Sequence, residues 1–115
     1  MKSTAIGERA EALACAFLEK RGLTVLEHNW RSRFGEIDLV LREGPTIVFV
    51  EVRLRTNRKF AGAGESIDAR KRARLLATAR QYLAGKPDSP SRFDVVLLNS
   101  LDAPDINWIR DALSE

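Results

Sequence analysis

The sequence predicts an α/β domain with element order α-β-β-β-α-β, a mixed sheet flanked by helices. Three observations predict it. Apolar residues recur at three-and-four spacing near the start and again past the middle of the chain, the pattern of amphipathic helices. Between these stretches lie three extended-looking runs separated by short turn signals. A fourth β-like run follows the second helix, and a helix joining two strands makes a crossover to a parallel neighbour.

Each element has its own reason. Residues 4–21 form the first helix, with Ala10, Leu13, Ala14, Phe17 and Leu18 along one stripe. Ser3 or Thr4 can cap its start, and Gly22 is the residue expected just past its end. Thr24-Val25-Leu26 and the residues to Trp30 look extended. In GEIDLVL, 35–41, Ile37, Leu39 and Leu41 alternate with Glu36 and Asp38, and Gly44-Pro45 then marks a turn. Residues 46–54, TIVFVEVRL, are nearly all β-branched or apolar, as in a strand covered on both faces. A loop follows over 56–64, containing Gly62 and Gly64. Residues 66–83 form the second helix, offering Ile67, Leu75, Leu76, Ala79 and Leu83 to the core. Gly85-Lys86-Pro87 and Ser89-Pro90-Ser91 end it. Phe93 to Leu98 is a strand, and Ile106 to Leu113 is a short strand or helix. Without an internal repeat or a dividing linker, 1–115 reads as a single domain.

Composition excludes several classes. With 44% hydrophobic and 30% charged residues, the chain has the balance of a globular domain and not of a disordered one. No apolar run reaches the roughly 18 residues of a membrane helix. The N-terminus passes directly into a charged, Ala-rich pattern without a signal-type apolar core. Cys15 is the single cysteine, so no internal disulfide can form, and the expected location is the cytoplasm. At an apolar helical position Cys15 is a small core residue, and it does not pair with the distant His28 as a metal ligand. Residues 53–80 carry nine Lys/Arg against two acids, a net +7 within a chain of net +3, so the remainder carries −4. Such asymmetry suits a polyanionic partner, although a solvated basic helix face has the same composition.

The unusual carboxylate is Glu51, set between Val50 and Val52 in the most apolar segment. A buried, unpaired carboxylate costs several kcal/mol and needs a cation or a dense set of hydrogen bonds. Period two puts Glu51, Arg53 and Arg55 on one strand face. A hairpin through Gly44-Pro45 lets Asp38 face Glu51, where two like charges repel unless a cation lies between them. Hard oxygen ligands suit Mg²⁺ or Mn²⁺, which can activate water and neutralise charge on a phosphodiester. A salt bridge from either acid to the adjacent arginines is the plainer reading. Trp30 and Trp108 are core or edge anchors, and Asp94 beside Arg92 is an ion pair supporting the sheet. Ala61-Gly62-Ala63-Gly64 only superficially resembles a phosphate-cradling loop.

These residues also carry a resemblance. Glu11-Ala12, Phe17-Leu18 and Gly22, then GEIDLV (35–40), VFVEVR (48–53) and RFDVV (92–96), resemble the uncharacterised YraN-like family (UPF0102) over about residues 5–112. That family looks like a branch of the PD-(D/E)XK nucleases, near the archaeal Holliday-junction resolvases. The resemblance implies a restriction-endonuclease-like core and a metal-dependent endonuclease acting on structured or branched DNA in recombination and repair. Asp38 matches the first metal-binding acid and Glu51 the second, and the main-chain carbonyl of Val52 would be a further ligand. Glu11 matches the first-helix acid that completes many such sites. Glu8 is the alternative, and an acid in the first turn also simply suits the helix dipole. Arg53 stands where the motif usually has lysine. Arginine stays protonated and cannot act as a base, but its planar fork can meet a phosphate oxygen. Arg55, Arg70, Lys71 and Arg74 would contact nucleic-acid phosphates, because in such folds the second helix lies near the active face. Resolvase relatives act as dimers, so a homodimer is implied too. The rival reading is a nucleic-acid-binding or adaptor domain that kept the fold without the chemistry.

Overall fold

The computed structural model describes residues 4–55, 67–86 and 88–113. Ser3, the 56–64 loop with Arg58 and Lys59, Ser66 and Pro87 lie outside the described residues. The order is α1 (Ala5–Glu19), β1 (Thr24–Ser32), β2 (Gly35–Glu43), β3 (Thr46–Leu54), α2 (Ala69–Leu83), β4 (Ser91–Leu98) and β5 (Ile106–Ile109). The strands form one sheet in sequence order, antiparallel everywhere except the parallel pair β3–β4 that α2 connects. This is the mixed sheet that the sequence predicts, and within 106–113 the residues Ile106–Ile109 are a strand.

Local chemistry sets the boundaries. Thr4 caps α1, its hydroxyl accepting the Gly7 N–H at 2.9 Å. Leu23 N–H then bonds the Leu18 carbonyl and Gly22 N–H that of Glu19, a Schellman closure around Gly22 at φ +94°. Helix α1 therefore stops at Glu19, two residues before the expected end. Asp68 caps α2 by accepting the Lys71 N–H at 2.8 Å. The second helix thus begins at Ala69 and not at 66, because Asp68 must stay extended to cap it. The β2–β3 hairpin closes through Gly44 at φ +58° and Pro45, with Glu43 opposite Thr46. A positive φ at the first central residue is what a type II′ turn requires, and this turn fixes the register of every later pair.

The sheet is covered on both faces. Toward α1, Ala14, Cys15 and Leu18 pack against Leu39, Leu41, Val48, Val50 and Val96. Toward α2, Leu75, Ala79 and Tyr82 pack against Val40, Phe49, Phe93 and Val95. Strand β3 alternates between the faces, which sends Glu51 toward α2 along with Phe49. Ile37 departs from its expected alternation with Leu39 and Leu41 and joins the α2-side core. There the start of β2 runs close to α2: a Cβ on Gly35 would lie 3.2 Å from Thr78 Oγ1. Trp30 and Trp108 are anchors, in edge contact with Tyr82 and Phe17 respectively. Asp94 is fully buried and accepts from Arg92, from Trp108 Nε1 at 2.9 Å and from the Asp111 N–H at 2.9 Å. A buried carboxylate so satisfied supports the sheet, as the sequence suggests. Among the described residues no helix is long and apolar enough to cross a membrane.

Candidate functional site

The hairpin register builds the site. Paired positions run from Glu43/Thr46 to Leu39/Val50, and Asp38 and Glu51, the next residues on the two strands, line the same depressions. At that step the ladder gives way to a side chain: Asp38 Oδ2 accepts the Val52 N–H at 2.8 Å. Two depressions open here, of about 230 and 280 Å³, and Asp38, Glu51 and Lys71 line both. Glu36, Arg74 and Gly35 complete one, while Glu11, Arg53 and Arg55 line the other.

Glu51 is 5% exposed, so its charge must be met, and two cations meet it. Lys71 Nζ lies 2.9 Å from Oε2 and Arg53 Nε lies 3.1 Å from the same oxygen. The salt bridge to Arg53 is the plainer of the two sequence readings, and it is present. The Arg53 contact is ionic only, because its buried Nε–H makes no hydrogen bond. Asp38 receives no such neutralisation. Burial and then the charge of Glu51 push its carboxyl up to about 8, Glu11 adds to this, and the Val52 bond and Lys71 only partly oppose them. With Glu51 already paired to two cations, the site still favours another positive charge at Asp38. That demand, hard oxygen donors and an open approach fit a divalent ion held by one or two carboxylates and several waters.

Glu11 of α1 accepts from Asn29 Nδ2 at 3.1 Å, and Asn29 is held at φ +49°. Its carboxyl is raised, chiefly by burial and then by the charges of Glu36 and Glu8, against bonds from Asn29 and Asp38. Glu8 is exposed in the first turn and lines neither depression. Between the two candidates, the geometry brings Glu11 to the site. Among the described residues no three His, Cys, Asp or Glu side chains gather closely enough to ligate one ion.

The basic residues divide. Arg55 and Arg74 line the depressions, and Arg70 is exposed one turn before Arg74 on the same side of α2. Lys71, expected among the phosphate contacts, instead reaches inward to Glu51. Its signal was a capping residue: with Asp68 as cap, Lys71 falls in the first turn of α2, beside the end of β3. Glu36, paired with Arg31 at 3.3 Å, and Asn29 are further site residues that the motif did not mark.

Comparison with known proteins identifies relatives of the whole domain. The model of the Uncharacterised protein family UPF0102 matches residues 10–98. A UPF0102 protein of Nitrosomonas europaea is 54% identical over 110 residues, covering 95% of this chain and 93% of that protein. One from Methylobacillus flagellatus is 52% identical over 109 residues, 95% of this chain and 96% of that protein. One from Pseudomonas aeruginosa is 49% identical over 112 residues, 92% and 90%. The chain belongs to the UPF0102 family.

Proposed function

We propose that this UPF0102 member is a metal-dependent endonuclease of the PD-(D/E)XK kind, acting on structured or branched DNA. Asp38, Glu51 and the main-chain carbonyl of Val52 would hold Mg²⁺ or Mn²⁺, with Glu11 completing the site through water. The observation that carries the reading is the gathering of Asp38 and Glu51 on the same two depressions at the end of the hairpin, where the charge of Glu51 raises the Asp38 carboxyl. When bound, a divalent ion there supplies a water of lowered pKa and neutralises charge on a phosphodiester. In hydrolysis the water oxygen bonds to phosphorus and the bond to the leaving sugar oxygen breaks. The proton lost by the water is balanced by the one that the departing alkoxide gains. Arg53 stands beside Glu51 with its Nε buried against that carboxylate, so the outer NH groups of its fork would meet a phosphate oxygen. Arg55, Arg70 and Arg74 would position the nucleic-acid backbone. A homodimer, a cytoplasmic location and a part in recombination and repair belong to the same proposal.

One observation favours a second reading, a nucleic-acid-binding domain without cleavage: arginine replaces lysine at position 53, and that arginine is already engaged with Glu51. Incubating the protein with four-way junctions, flaps, single strands and RNA counterparts in Mg²⁺ and Mn²⁺ separates the two. Metal-dependent cuts in branched DNA, lost in Glu51→Gln, are expected. Binding without cleavage of any substrate would establish the second reading and overturn the first.

A further inference from the structure

Two cations share one oxygen of Glu51, and they are not equivalent. Arg53 is 16% exposed and comes from the same strand two residues on, so the backbone of β3 fixes where its planar fork can go. Lys71 comes from α2 and is 36% exposed, and its ammonium sits at the wall common to both depressions. It is a compact charge with three donors on a flexible stem, whereas the guanidinium is a rigid fork. The Asp68 cap sets the register of α2 so that its third residue, and neither Arg70 nor Arg72, reaches Glu51.

We infer that Lys71 is the positioning cation of this site: it holds the Glu51 carboxylate in place while no metal is bound, and it is the ammonium free to turn to a phosphate oxygen when a divalent ion takes up that carboxylate. This rests on the metal-site reading above. In the resembled motif one lysine follows the second acid along the strand; here that position is arginine, and the lysine approaches the same acid from across the cleft. Lys71 competes with the metal for Glu51, so removing it must strengthen metal binding even as it weakens function.

The test is an Mn²⁺ titration followed by electron paramagnetic resonance, on wild type, Lys71→Met and Lys71→Gln, with cleavage of a four-way junction measured beside it. Loss of a unit positive charge next to a ligand oxygen is expected to tighten Mn²⁺ binding about 3- to 10-fold in a half-exposed site. Cleavage is expected to fall about 10²- to 10³-fold, as for loss of one charge-stabilising donor. Mn²⁺ affinity unchanged or weakened in folded variants overturns the role of Lys71 alone, while the metal site stands. Failure of both variants to fold makes Lys71 a structural partner of Glu51 and overturns the inference as well. A wild type that binds no Mn²⁺ overturns the metal site and this inference together. A wild type that binds Mn²⁺ without cleaving removes the nuclease reading and leaves affinity to judge Lys71.

Discussion

Replacing Asp38 by Asn should stabilise the metal-free protein, and by more as the pH rises. The carboxyl is pushed from an ordinary 3.8 up to about 8 by burial and by the neighbouring Glu51 charge, with Glu11 adding and Lys71 opposing. The native protein therefore keeps a proton that the unfolded chain releases, so wild-type stability falls as pH rises from about 4 to about 8 and levels off above. The full gap corresponds to about 5 to 6 kcal/mol on the ionised form. Strand relaxation and the charge shared with Glu51 reduce this, and buried ionic groups replaced by neutral ones gain about 1 to 4 kcal/mol. About 2 to 3 kcal/mol at pH 8 is expected, a rise in Tm of about 8 to 12 °C for a domain this size. The amide keeps a carbonyl oxygen for the Val52 N–H, so the 2.8 Å bond at the open end of the hairpin survives. Urea unfolding in chelator at pH 4, 6 and 8, on both proteins, measures the difference directly and cancels the titrating groups that do not interact with Asp38. A stability difference between wild type and Asp38→Asn that is flat in pH, or that grows in favour of wild type, refutes the electrostatic description of the site.

Other changes have equally definite outcomes. Asp94→Ala strips the acceptor from Trp108 Nε1 and the Asp111 N–H and leaves the Arg92 guanidinium with Glu43 as its remaining partner, so urea unfolding should show a loss of about 2 to 3 kcal/mol; a loss under about 1 kcal/mol contradicts the network. Gly22→Ala forces a Cβ onto a residue at φ +94° and should cost about 1 kcal/mol by the same assay, whereas a neutral result denies the Schellman closure. If about five phosphates are contacted, log K for DNA against log salt should slope near −4 to −5. Replacing Arg55, Arg70 and Arg74 by Ala should flatten that slope without altering preference, and an unchanged slope makes them a solvated face. Arg53→Lys should retain or raise cleavage, and Arg53→Ala should lose about 10²- to 10³-fold; equal rates in all three proteins would remove Arg53 from the chemistry.

The sequence made the sheet legible because its signals were local and strong. Residues 46–54 could hardly be anything but a central strand, Gly44-Pro45 set the hairpin, and that hairpin's register leads to Asp38 and Glu51 just past its last pair, Leu39 and Val50. Glycine and capping residues also mark the helix ends, but the apolar stripe runs on past the true start of α2. Ile67 reads as a continuation of the apolar stripe, whereas Asp68 takes the extended cap position. The same overrun hides Lys71, whose inward reach depends on helix phase and on packing across the sheet. Asn29 was hidden for a similar reason: its hold on Glu11 needs a left-handed residue on β1 brought against α1, a contact between segments 18 residues apart. Pairings within a hairpin are written in spacing, but contacts between layers depend on how the helices lie on the sheet.

The central claim is that Asp38 and Glu51 together hold a divalent ion, and Mn²⁺ paramagnetic broadening of the amide spectrum tests it most directly. The account predicts selective loss of signals around Asp38, Glu51 and Val52 at millimolar Mn²⁺ or below, abolished in both Asp38→Asn and Glu51→Gln. Uniform broadening in wild type, or selective broadening that survives both substitutions, would contradict it.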